Sequence, residues 1–146
     1  MVVVATAEEY EIAQDRFKGQ NIIETGIGGL NVLQALKDLD KSQEIINFGF
    51  CGSNKLPVGT EVEIGECRFY HPNVDYPEPV YKLNGNTTCY TNNDFVLSTE
   101  ITEPVVFDME LAYILALGFD KVTSIKVVSD NLSLEQYEEE KKCLKK

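Results

Sequence analysis

Basic charge is what this chain has least of. Thirteen Lys and Arg stand against 24 Asp and Glu, for a formal net charge of −11. A surface of that sign repels nucleic acid and anionic membranes, so neither is expected as a partner, while small neutral or cationic ligands remain open. His71 is the only histidine, which excludes a metal site needing several imidazoles. The four cysteines, Cys51, Cys67, Cys89 and Cys143, form no CxxC pair. Their spacing points to neither a metal knuckle nor a disulfide framework, and a reduced cytoplasmic setting is the simplest account. No stretch approaches the ~20 apolar residues of a membrane span. Met1 to Glu9 lacks the basic start and longer apolar core of a signal peptide. No metal and no cofactor is expected.

What is present is an ordinary globular composition, 43% hydrophobic and 25% charged over 146 residues, which suits one domain with one core. No repeat, low-complexity tract or linker divides it, so residues 1–146 are read as a single domain. Val2 to Ala5 is a short continuous apolar run, as in a strand buried on both faces. Thr6-Ala7-Glu8-Glu9 opens a helix with Thr6 as cap, and Asn21 to Thr25 is a second strand. Gly26-Ile27-Gly28-Gly29 follows and leads into a helix with Leu30, Leu33 and Leu36 on one face. The glycines fit a backbone approach to a ligand or a tight chain reversal; the dinucleotide fingerprint GxGxxG is incomplete because Asn31 stands in its last place.

Glu44 to Gly49 is a third strand, running into Phe50-Cys51-Gly52-Ser53. Glu61 to Gly65 alternates as a strand, Cys67 to Tyr70 continues extended, His71 to Pro77 is a loop rich in breakers, and Asn84-Gly85 predicts a hairpin. Pro104 to Phe107 is a short strand. A helix is then expected from an Asp108 cap to a Gly118 stop, with Glu110 just inside it. Val122 to Val128 delivers Ser129-Asp130-Asn131, and Ser133 begins an acidic helix that reads as a solvated surface element. Alternating strands and helices at both ends indicate an α/β sheet with antiparallel material in the middle.

Ligands in such folds sit beyond the carboxyl ends of the strands. Asp130 is therefore a candidate working group, with a plain helix or turn cap as the alternative. Cys51 is read as a small packing residue rather than a nucleophile, and His71 as a loop hydrogen-bonding residue.

Five segments carry a resemblance in order: Ala7-Glu8-Glu9-Tyr10-Glu11; Thr25 to Asn31; Ile46 to Gly52 with Gly65 to His71; Phe107-Asp108-Met109-Glu110; and Val128-Ser129-Asp130. Thr91 to Val96 is a looser sixth. Together they resemble the nucleoside phosphorylase and nucleosidase family (the purine and uridine phosphorylase superfamily), in its 5′-methylthioadenosine/S-adenosylhomocysteine nucleosidase branch, in a shortened form.

The resemblance implies a three-layer phosphorylase/hydrolase-like α/β fold, a central mixed sheet flanked by helices. It implies cleavage of the N-glycosidic bond of a purine nucleoside. Asp130 would protonate the leaving base with help from Ser129, and Glu11 would activate water. Glu110 would accept hydrogen bonds from ribose hydroxyls over Met109, and Phe95 would stack on the base. Phe50, Cys51 and Gly52 would line the sugar side. Phe50 departs from the family, which has a small hydroxyl residue there, and Asn92-Asn93 replaces glycine-aspartate. Arg16 and Arg68 do not adjoin the glycines, so water is the expected nucleophile. Phosphorolysis, or nucleoside binding with little turnover, are the alternatives. A homodimer is implied as well, with the segment from Tyr70 to Tyr76 reaching the neighbouring site.

Overall fold

The computed structural model describes residues 1–72 and 79–145. Its first strand shows why a run of three valines is needed. β1 (Val2–Val4) lies between β2 (Ile22–Glu24) and β3 (Glu44–Ser53), parallel to both. Successive strand side chains point to opposite faces. Val2 and Val4 therefore pack with Phe48 and Ala13 on one side, and Val3 packs with Val32, Leu36, Ile45 and Ile114 on the other.

Those two clusters define the layers. One face carries α1 (Ala7–Arg16); the other carries α2 (Gly29–Leu36) and α3 (Leu111–Ala116). The three-layer arrangement expected from the resemblance is the one observed. α4 (Leu134–Lys145) packs on α1 and on the end of β8 (Lys121–Asp130), so it is not the free surface helix its acidic composition indicates. Tyr137, in its first turn and a half, turns inward and meets the rings of Phe50 and Phe95.

β3 and β8 form the spine, pairing in parallel from Glu44–Lys121 to Cys51–Val128. Beyond them the sheet closes. β8 pairs antiparallel with β4 (Glu61–Phe69), β4 pairs parallel with β6 (Thr87–Thr91), β6 parallel with β7 (Val106–Asp108), and β7 antiparallel with the end of β3. The interior of this ring of five strands holds Cys51, Ile64, Cys67, Cys89, Val106 and Val128, sealed by Leu111 and Ala112 of α3.

Two local expectations change. Asn84-Gly85 does not join a hairpin: β5 (Tyr81–Lys82) pairs with β4, and β6 pairs with β4 rather than with β5. The intervening backbone instead crosses β4 at Gly65, with Leu83 N–H donating to Gly65 O (2.9 Å) and Asn86 N–H to Glu63 O (3.1 Å). A Cβ on Gly65 would collide with the Gly85 carbonyl, so only glycine permits the crossing. The expected helix at Asp108 starts later, at Leu111, because Asp108 is the last residue of β7. The segment from Tyr70 to Tyr76, expected to reach a neighbouring site, lies outside the described residues from Asn73 onward.

Gly65→Ala is expected to lower unfolding free energy by about 2–3 kcal/mol in denaturant titration, at the upper end of ordinary single substitutions. A change below about 0.5 kcal/mol, the usual surface range, would contradict the close crossing.

Candidate active site

The carboxyl ends of β1, β3, β7 and β8 open into one cavity of about 240 Å³. Its floor comes from Ala5, Phe50 to Gly52, Phe107 to Glu110, Ser129 and Asp130; Phe95, Val96 and Leu132 form a wall, and Thr6, Ile27, Leu134, Tyr137 and Glu138 the mouth. Among the described residues no group of three His, Cys, Asp or Glu is arranged to hold a metal ion.

Asp130 terminates β8 and is 1% exposed. Its Oδ1 accepts from the Ser129 hydroxyl (2.8 Å) and its Oδ2 from Leu132 N–H (2.9 Å). Burial raises its pKa, and the bonds from Ser129, Leu132 and Ser133 offset only part of that rise. A Cβ at Gly52 would come within 2.9 Å of Oδ2, so glycine keeps this carboxyl in place. Leu132, next on the chain, has φ +64°, a conformation that costs about 1 kcal/mol or more for a leucine and often marks a functional site.

Glu110 follows β7 at the N-cap position of α3 but does not cap it. Its Oε2 instead accepts the Gly28 N–H (2.9 Å). Burial, followed by the nearby Asp108 charge, pushes its pKa up to about 8. Asn93 Oδ1 accepts from Gly29 N–H (3.0 Å). The donors of the glycine-rich turn are thus taken by the chain's own side chains. Arg16 pairs with Glu61 (2.5 Å) and Arg68 with Glu66 (3.1 Å), neither of them at that turn.

The carboxylate on the α1 side is Glu9, not Glu11. Thr6 and Glu9 form a capping box, which folds Glu9 back toward the end of β1. Its Oε1 accepts from Ala5 N–H (2.8 Å) and Thr6 N–H (3.1 Å), and its Oε2 from Phe50 N–H (2.8 Å). Of about four lone-pair directions on a carboxylate, one on Oε2 remains for a further donor. Burial raises the Glu9 pKa, and the Phe50 N–H, Lys126 and the other N–H groups oppose it. Glu11 is two residues on, about 200° around the helix. It is exposed and does not line the cavity.

Asp130, Ser129, Met109, Glu110, Phe95, Phe50, Cys51 and Gly52 all line the cavity. Cys51 contributes a thiol rather than a thiolate, since burial pushes its pKa well up. The Phe50 ring is buried at the floor and meets the Tyr137 ring edge-on at 6.4 Å, and Phe95 lies 5.7 Å from Tyr137.

Sequence reasoning missed Tyr137, and it missed Lys126. This lysine is 1% exposed beneath the floor, with Nζ 3.1 Å from Asp108 Oδ2. Burial alone would depress its pKa, but Asp108 first, then Cys89, Glu110 and Glu9, outweigh burial and hold it above the ordinary value. Asp108 also accepts from the Thr91 hydroxyl (2.5 Å) and Leu111 N–H (2.8 Å). The available signal was a lysine at an inward position of β8, in step with Ser124 and Val128.

No protein-family model matches the sequence, and no curated protein matches it. Solved structures do share the fold. The chain is similar to the nucleosidase MTAN of Chlamydia trachomatis bound to MTA, with TM-score 0.79 and 15% identity over 99% of this chain and 89% of that one. An MTAN mutant of Helicobacter pylori with 5′-methylthioadenosine in the active site gives 0.79 and 12% over 99% and 90%. S-adenosylhomocysteine nucleosidase of Streptococcus pyogenes gives 0.76 and 14% over 94% and 87%. The chain has the fold of these nucleosidases.

Lys126→Met should destabilise the protein by about 3–5 kcal/mol, because it leaves Asp108 buried without its counter-charge, with part regained in Asp108→Asn/Lys126→Met. Glu110 yields a pH prediction. Its folded pKa of about 8 lies above the ordinary 4.5, so its contribution to stability is fully present below 4.5 and is lost as pH rises through about 8. The difference in unfolding free energy between wild type and Glu110→Gln should fall across that window by up to roughly 1.4 kcal/mol per pH unit. A flat difference would show that Glu110 titrates normally.

Proposed function

We propose that this chain is a nucleosidase that cleaves the N-glycosidic bond of a purine nucleoside with water as nucleophile. The observation that carries the reading is the convergence of Asp130, Glu110 and Glu9, from three different strand ends, on one cavity walled by Phe95. Each has an environment suited to a separate task. The fold shared with nucleosidases, whose structures hold 5′-methylthioadenosine or analogues of it, supports the same class of substrate.

Asp130 is the acid. Its raised pKa keeps a proton available, and the Ser129 hydroxyl fixes its orientation. As the bond from C1′ to the base breaks, the electron pair goes to the base, whose N7 takes the proton from Asp130. Phe95 stacks on the ring. Glu110 accepts from the ribose hydroxyls above Met109, and its ionised fraction, which grows as pH rises towards its pKa of about 8, favours the oxocarbenium-like centre by its charge. Glu9 uses the remaining lone pair on Oε2 to hold water and takes its proton as the oxygen bonds to C1′. Separate acid and base groups with distinct environments are what this hydrolysis needs.

Phosphorolysis is the less favoured reading, because Gly28 and Gly29 N–H already donate to Glu110 and Asn93. We further read residues 1–146 as one domain acting as a cytoplasmic homodimer. Supporting this are the free buried Cys51, Cys67 and Cys89 and the apolar surface of Ile27, Leu30 and Leu33 at α2. Among the described residues no helix is long and apolar enough to cross a membrane.

Base release from methylthioadenosine, adenosine and inosine, with and without phosphate, tests the reaction. Release should not depend on phosphate. Asp130→Asn and Glu9→Gln should each lower kcat by about 10²–10⁴, whereas Glu11→Gln should stay within about twofold of wild type, as expected for an exposed side chain away from the site. Loss of activity in Glu11→Gln with retention in Glu9→Gln would return the base to Glu11.

A further inference from the structure

The glycine-rich turn takes no direct part in cleavage, yet it joins two groups that do. Gly28 has φ +89°, left-handed backbone that glycine adopts without strain. Two successive N–H groups are thereby aimed at two different side chains. Gly28 N–H donates to Glu110 Oε2 (2.9 Å) and Gly29 N–H to Asn93 Oδ1 (3.0 Å). Peptide units are planar, so only the two dihedrals of Gly28 separate these groups, and fixing one direction restricts the other. The turn has little room to shift. A Cβ on Gly29 would collide with the Tyr113 ring, while Tyr113 N–H donates back to Glu110 O (3.0 Å). Within the turn, Asn31 Nδ2 donates to Ile27 O (2.8 Å). Asn93 is exposed and stands two residues before Phe95. Its loop is anchored at Asn92, whose N–H donates to Asp108 O (3.0 Å).

Resting on the nucleosidase reading, we infer that Asn93 is a positioning residue for Glu110: acting through Gly28 and Gly29, it holds the carboxyl that meets ribose in register with the loop that brings Phe95 to the base. Asn93 does not itself line the cavity. Without its amide oxygen the Gly29 N–H is free to turn to water, and the direction of the Gly28 N–H, hence of Glu110 Oε2, is no longer set. The coupling is reciprocal. A base that steadies the Phe95 loop steadies Glu110 for ribose, and ribose bound at Glu110 steadies the loop for the base.

Calorimetry with two uncleavable ligands tests this: a C-nucleoside carrying a purine-like base, and its 2′,3′-dideoxy form, which offers Glu110 no hydroxyl. Asn93→Ala should weaken the C-nucleoside by about tenfold and the dideoxy form by no more than about threefold. Asn93→Asp, which keeps an oxygen acceptor at the same place, should bring the C-nucleoside to within about threefold of wild type. A residue that merely held the loop would weaken both ligands by the same factor. Equal weakening of the two in Asn93→Ala, no weakening of either, or an Asn93→Asp protein as weak as Asn93→Ala overturns the inference and leaves the nucleosidase reading standing. If wild-type protein binds neither ligand, the nucleosidase reading itself fails and takes this inference with it.

Discussion

The buried pair of Lys126 and Asp108 is the constraint on which the site rests. An ammonium and a carboxylate removed from water cost several kcal/mol each unless their geometry is good and their remaining hydrogen-bonding capacity is met. Here Asp108 accepts from Thr91 of β6 and Leu111 of α3 as well as pairing with β8. The ring of strands and the start of α3 are held by one carboxylate. The pair also fixes the charge balance above it. Three carboxyl groups, Glu9, Asp108 and Glu110, act on one ammonium, and Asp108 is the one that lies within ion-pair distance. Asp108 stays ionised, with its pKa below the usual range although burial works against it. Glu110, next to that charge, is pushed the other way. An apolar pair of the same volume could fill the core as well, but it would leave the two cavity carboxyl groups without an opposing charge.

A second constraint removes a binding option. A helix preceded by glycines offers free N–H groups to an anion, and α2 has no side-chain cap of its own. Glu110 and Asn93, 82 and 64 residues further along the chain, take those donors. The bond through Asn93 also ties the loop that carries Phe95 to the glycine-rich turn. One substitution of partner, a carboxylate where an anion would bind, therefore occupies a donor of the turn and fixes the Glu110 carboxyl at the cavity.

Much of this could be seen in the sequence, because strand-end chemistry is local. Runs such as Val2 to Ala5 and Val122 to Val128 mark strands by β-branching, and the small or acidic residues that terminate them mark the cavity. Non-local pairing has no such signature. The closure of β8 on β4 and of β7 on β3 depends on contacts across more than fifty residues. Asn84-Gly85 has the composition of a hairpin, but its backbone is used to cross Gly65. Glu9 and Glu11 are equivalent in composition and differ only in helical phase; the capping box from Thr6 to Glu9 was the deciding local signal. In α4, glutamates dominate the composition, although it is Tyr137 that turns the helix towards Phe50 and Phe95.

The alternative first posed for Asp130, cap or working group, dissolves in the structure. Asp130 accepts the Leu132 N–H after β8, Glu9 completes a capping box before α1, and Glu110 occupies the N-cap position of α3. All three are boundary residues, and all three line the same cavity. The reason is geometric. Carboxyl groups accept N–H bonds at chain reversals, and in an α/β sheet the reversals after successive strands gather at one edge, where ligands bind. Hydrogen bonding to the backbone fixes each carboxyl group in position, and the capacity it leaves unused, such as the last lone pair of Glu9, is what remains open to a ligand.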